Sequence, residues 1–174
     1  MNTFKQGRRY LIVLIIATVL ALALNVFIIV QSCLDGGQST GAAHPVVEIC
    51  KNFVNLFYKG AINDSNIDAF TLVIRKLVGH FGLYAFSGGL SSWAIYMWIK
   101  PLRWFKPYIY VIISLIFGFL FSGLTELIQL FTPGRSGQFT DVLIDFGGYL
   151  FGLFIVLLVL FFIYKSQNKK PTSD

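Results

Sequence analysis

The residues best suited to chemistry lie in LTELIQLFTPGRSGQFTDVLIDFGG, residues 124–148, and in a shorter stretch upstream. The first carries Glu126, Gln129, Arg135, Asp141 and Asp145; the second carries Arg75, Lys76, His80 and Tyr84. An imidazole beside carboxylates can move protons as general acid and base. Guanidinium and ammonium groups can hold a phosphate or carboxylate, the arginines bidentately. His80, Glu126 and Asp141 are therefore the candidate catalytic groups. Arg75, Lys76, His80, Tyr84, Glu126, Gln129, Arg135, Asp141 and Asp145 are the candidate ligand-binding groups. No serine or cysteine sits in a nucleophile motif, and no phosphatase or protease signature appears. One histidine among acids could meet a divalent ion, but a single imidazole without a thiolate gives zinc little specificity. No metal and no cofactor is expected.

These groups must be positioned by helices in a membrane. Of the 174 residues, 56% are hydrophobic and only 13% are charged, and the mean hydropathy is +0.71. That composition excludes an ordinary soluble domain. Four stretches have the roughly 20 apolar residues that cross a hydrocarbon core. They are residues 10–30, 77–99, 108–131 and 142–164. Lipid offers no partners for backbone N–H and C=O groups, so the spans are helices and the chain is an all-α polytopic membrane bundle. The net charge of +6 belongs to lysines and arginines flanking the apolar runs, which is topology signalling rather than a nucleic-acid surface. No nucleic-acid partner is expected.

Helical spacing gathers the polar groups into stripes. Lys76, His80, Ser87 and Ser91 fall near one face of span two, with Tyr84 on or beside it. Glu126 and Gln129, three apart, share a face of span three, extended inward by Thr125, Ser122 and Gly118. Asp141, Asp145, Gly148 and Gly152 form a stripe on span four. A charge facing lipid near the bilayer centre costs about 3 kcal/mol or more, so the stripes should turn toward one another. Gly148 and Gly152 have the small-xxx-small spacing of close helix contact. Pro133 and Gly134 make a turn, with positive φ at Gly134, that presents Arg135. The arrangement expected is a cationic rim (Arg75, Lys76, Arg135) over an acidic, histidine-containing interior. Plainer readings exist: Lys76 could snorkel to the interface, and Asp141 could only cap span four.

Nine basic residues flank one side of the spans: Lys5, Arg8, Arg9, Lys100, Arg103, Lys106, Lys165, Lys169 and Lys170. The other side has five, with Asp35, Glu48, Asp64 and Asp68 among them. Both termini should then be cytoplasmic in a multi-pass protein of the cell membrane, with the polar stripes facing outward. The external segment 31–76 opens with DGGQSTGAAHP, which reads as flexible. PVVEICKNFVNLFYKG follows, with Pro45 in a helix-starting place and Gly60 as a stop. Val46, Ile49, Phe53, Leu56 and Phe57 recur at helical spacing, giving an interfacial or re-entrant helix resting on the bundle or, functionally, a lid. His44 reads as a loop histidine. Cys33 and Cys50 could bridge or stand as free thiols.

RKLVGHFGLYAF followed by ELIQLFTPGRSGQFTDVLIDFGGYLFG resembles the VanZ-like family. Its pattern is Lys-x-x-x-His with a nearby Tyr, Glu-x-x-Gln, a Gly-Arg turn and Asp-Val-x-x-Asn-x-x-Gly. These elements match Lys76, His80 and Tyr84; Glu126 and Gln129; Gly134 and Arg135; then Asp141, Val142 and Gly148. The chain departs from the pattern at Asp145, where Asn is usual. The resemblance implies a small membrane protein of the cell envelope, linked through the family's named member to teicoplanin-type lipoglycopeptide resistance. Taken with the cationic rim over a pocket open to the outer leaflet, it makes the leading function binding of an anionic membrane lipid, a lipid-linked cell-wall intermediate or an amphiphilic antibiotic. The alternative is an intramembrane enzyme on a lipid phosphate, with His80 and Glu126 as base and acid. Proton-coupled transport, in a homo-oligomer of four-span chains, ranks last because the inner half of span two offers only Ser91 and Ser92.

Overall fold

The computed structural model describes residues 2–103 and 105–168. The basic positions Lys169 and Lys170, and the side chain of Lys5, lie outside what it describes. Five helices follow one another: α1 (Asn2–Cys33), α2 (Gly36–Phe57), α3 (Ile67–Ile99), α4 (Pro107–Leu130) and α5 (Phe139–Gln167). Four of them, α1 from Gly7 and then α3, α4 and α5, are long and apolar enough to cross a membrane. The protein is a multi-pass membrane protein, and no strand occurs among the described residues.

The bundle is polar inside and apolar outside. Ser87, Ser91, Ser92, Ser114, Ser122, Thr125, Glu126, Gln129, Asp141 and Asp145 are buried, while the exposed surface is rich in Leu, Ile, Val and Phe from all four spans. In lipid an apolar side chain gains little by turning inward, whereas a polar one must find a partner. The buried polar set includes Ser114 of α4, which the sequence reading did not single out. Apolar clusters close both ends: Ile99, Tyr110, Leu153 and Val156 at one, Ile28, Tyr84 and Phe121 near the other.

The most extensive packing joins α3 to α5. It depends on glycines, as the small-residue spacing predicts. A Cβ on Gly148 would overlap the backbone of Phe81, and one on Gly152 would overlap the backbone of Ala85 and Gly89. Gly88 returns the contact from α3, against the backbone of Tyr149. The helices run parallel, with Lys76 meeting Asp141 and His80 meeting Asp145. Within α3, residues Arg75–Gly82 form a π-helical stretch. Gly79 and Gly82 lie in it and weaken the α-helical preference there.

The segment before α3 differs from the expectation. DGGQSTGAAHP is not flexible: α2 starts at Gly36, and Pro45 lies inside the helix. A capping box starts it. Asp35 Oδ1 accepts from the Gln38 amide at 2.8 Å, and Gln38 Oε1 accepts from the Asp35 amide at 3.3 Å. Pro45 removes only one intrahelical bond, and Gly41, four residues back, gives the backbone room to absorb the ring. His44 is thus an exposed helical residue rather than a loop one. The expected stop holds: Gly60, just past the helix, has φ 75°. Of the stripe, Ile49, Phe53, Leu56 and Phe57 face away from the bundle, while Val46 at its start turns toward α1 and α3, and Val47 is the buried residue of α2. An outward apolar stripe suits a helix lying at the membrane interface. Cys33 and Cys50 are free. Asp35→Ala should cost about 1 kcal/mol of local stability. Hydrogen exchange would report it as faster amide exchange across residues 36–42, with the spans unchanged.

The first turn of α2 is fastened to the loop between α4 and α5. Gly134 has φ 68°, as the turn reading requires. The Gly36 amide donates to Pro133 O at 3.1 Å, and the two glycines lie so close that a Cβ on Gly36 would overlap the Gly134 carbonyl. Thr132 Oγ1 donates to Ser32 O at 3.2 Å, tying the end of α1 to the end of α4.

Candidate functional site

The site lies where α3, α4 and α5 meet at the end covered by α2. Two rungs join α3 to α5. Lys76 Nζ is 2.6 Å from Asp141 Oδ1, and His80 Nδ1 is 3.0 Å from Asp145 Oδ1. Each pair spans 65 residues, so one parallel register sets both rungs, a helical turn apart. Asp141 does not cap α5. The N-cap is Gln138, without a side-chain cap bond, and Asp141 instead receives Lys76. Lys76 is 42% exposed along its side chain, so this outer rung contributes no more than about 1 kcal/mol.

Glu126 enters from α4. Its Oε1 lies 3.8 Å from His80 Nδ1 and accepts from Gln129 Nε2 at 2.9 Å. Its Oε2 accepts from the Gln138 amide at 3.1 Å. The helical spacing of Glu126 and Gln129 is thus used directly, and the loop after the turn supplies the remaining donor. Deeper, Tyr84 and Thr125 share a hydrogen bond through their hydroxyl groups.

Arg135 reaches back over this cluster, donating to Gln129 Oε1 and to Ser39 Oγ. Arg75 donates to the same Ser39 Oγ at 3.2 Å and to Thr40 Oγ1 at 3.5 Å. The two guanidiniums therefore share one hydroxyl at the start of α2. Neither forms an ion pair with a carboxylate among the described residues. Burial, and then the neighbouring Arg75, hold the Arg135 guanidinium below its ordinary pKa, with Glu126 and Asp141 opposing the shift.

A cavity of about 280 Å³ opens beside these groups. Arg75, His80, Gln129, Arg135 and Asp145 form its polar end, with Tyr84 below them. Its other walls are mostly apolar, from Phe27 and Ile28 of α1, Val46 of α2, and Val78 and Leu83 of α3, with Gln31 and Ser32 of α1 among them. Helix α2 is thus a wall of the cavity and not only a helix resting on the bundle. Lys76, Glu126 and Asp141 do not line the cavity; they stand behind its polar end.

A family model described as VanZ/LLP1 matches residues 10–162. The chain belongs to the VanZ/LLP1 family. Comparison with curated proteins and with solved structures gave no significant match. All nine residues singled out from this VanZ-like sequence fall in or directly around the cluster. The departure at Asp145 sits at its centre, fully buried against His80.

Two groups escaped the sequence reading. Ser39 bridges the arginines; DGGQ just before it is a capping box, and that signal could have marked the helix. Asn25 of α1 is buried, accepting from Ser87 Oγ at 2.6 Å and donating to Ser91 Oγ at 3.0 Å. Those two serines therefore face α1. A lone Asn in an apolar span was the available sign.

Proposed function

We propose that this VanZ-family membrane protein binds an anionic amphiphile, a membrane lipid or lipid-linked cell-wall intermediate, at its outer face. The phosphate or carboxylate of the head group would lie between Arg75 and Arg135. Its apolar part would follow Phe27, Ile28, Val46, Val78 and Leu83. One observation carries the reading: two guanidiniums without carboxylate partners among the described residues converge at the polar end of a cavity whose other walls are mostly apolar. The Arg75 charge disfavours that of Arg135, and an anion between the two guanidiniums would offset the repulsion. Orientation follows the positive-inside rule, with both termini cytoplasmic and the cavity toward the outer leaflet. Resistance to lipoglycopeptides, where a member confers it, would follow from altering the amphiphiles that the drug meets there.

The runner-up is acid–base chemistry on the same head group by His80 and Glu126. Binding is preferred because it needs only the uncompensated cations. Arg135→Ala and Arg75→Ala should each weaken retention of phosphatidylglycerol at least about tenfold, since a charge-assisted hydrogen bond contributes about 1.5–3 kcal/mol. Native mass spectrometry of the detergent-solubilised protein, with phosphatidylcholine as the neutral comparison, would measure it. Equal retention of both lipids, or no loss in either variant, would sink the proposal.

A further inference from the structure

We infer that His80, Glu126 and Asp145 form a binding site for a divalent transition-metal cation at the floor of the cavity. One ligand atom from each of the three residues lies within 4.8 Å of the other two. His80 Nδ1 faces both carboxylates, at 3.0 Å from Asp145 Oδ1 and 3.8 Å from Glu126 Oε1. Donors about 2.1 Å from a shared ion lie about 3.0–3.5 Å apart at octahedral or tetrahedral angles. The His80–Asp145 separation lies in that range, His80–Glu126 lies a few tenths of an ångström outside it, and the two carboxylates, at most 4.8 Å apart, would close on the ion.

An independent observation points to a missing partner. Asp145 is fully buried, and its Oδ2 has no hydrogen-bond partner. A buried carboxylate oxygen left alone is costly, and few occur in folded proteins. Asp145 and His80 both line the cavity, so an ion there is reachable.

The surrounding charges leave the site short of cations. Lys76 is engaged by Asp141, one rung outward. Arg135 donates to neutral Gln129 and Ser39, and Arg75 to Ser39 and Thr40. Among the described residues, His80 is the only basic side chain within 4 Å of the Glu126 or Asp145 carboxylates. Two carboxylates thus share one imidazole in a low-dielectric interior, and a doubly charged ion would neutralise them. It would take the place of a proton on His80 Nδ1.

The support shell is built as well. Gln129 and the Gln138 amide orient Glu126 through both its oxygens, and Arg135 orients Gln129. Outer groups of this kind fix ligand direction and metal affinity. One imidazole nitrogen and two carboxylate oxygens suit Mn2+, Fe2+ or Zn2+ better than a soft ion. Coordination positions left over would face the cavity.

The site stands on geometry separate from the arginine pair, so the two readings can fail separately. The test strips the full chain with EDTA in detergent and dialyses it against Mn2+ or Zn2+. About one ion per chain should bind, and X-ray absorption should show nitrogen and oxygen ligands at roughly 2.0–2.2 Å. Asp145→Asn and Glu126→Gln should each lower affinity at least tenfold, while Glu48→Gln should not. A wild-type protein that retains no ion, a sulfur-ligated one, or unchanged binding in both site variants would overturn the inference. Lipid retention measured in EDTA reports on the arginines alone. Loss of the metal with lipid still bound therefore counts only against the ion site.

Discussion

Gly148→Leu should destabilise the protein by about 3 kcal/mol, the upper end of ordinary overpacking. The reason is what the new side chain meets. A Cβ at Gly148 would overlap the backbone of Phe81, and backbone cannot rotate aside as a side-chain tip can. Helix α3 must move off α5. Both rungs, Lys76–Asp141 and His80–Asp145, would stretch with it, since one register holds them. For a chain of this size the loss corresponds to roughly 10 °C in Tm. Fluorescence-detected size exclusion after heating would read it. Gly147→Leu is the control, because a Cβ there meets nothing within 4 Å. Equal Tm for the two variants would refute the close-packing account.

Glu126→Leu should cost about as much, roughly 3 kcal/mol, by a different route. Glu126 is only 3% exposed, and it accepts from Gln129 Nε2 and the Gln138 amide while facing His80. Leucine fills the space but leaves two donors without acceptors, and the cost is their desolvation. Glu126→Gln keeps a carbonyl acceptor and should cost about 1 kcal/mol. Hydrogen exchange at the Gln138 amide, together with Tm, separates the cases. The amide should exchange much faster in Glu126→Leu and little faster in Glu126→Gln. Equal behaviour of the two would show that Glu126 does not hold the hairpin of α4 and α5 together.

Much of this protein follows from single residues and their spacing. Charges inside apolar runs had to face inward, because lipid penalises them, and that requirement brought Glu126, Asp141, Asp145 and His80 to one region. Pro133 and Gly134 could only be a turn, which placed Arg135 over it. Gly148 and Gly152, four apart, marked the close contact. The external segment was less legible. Glycine and serine there suggested flexibility, and the capping box of Asp35 and Gln38 overrode that tendency by satisfying two amides at once. The apolar stripe of α2 was found from its spacing, but its partner was not, since periodicity shows that a face exists and not what it meets.

The sequence by itself determined the four spans, the inward polar stripes, the turn and the family, because each depends on local chemistry judged against lipid. Only the tertiary structure decided the pairing: Lys76 with Asp141, His80 with Asp145, and both arginines on Ser39. Those partners lie between 36 and 96 residues apart for the arginine–serine contacts and 65 apart for the rungs. Helical period fixes which residues share a face but not the register between two helices, and that register is set by how closely Gly148 and Gly152 let α5 approach α3.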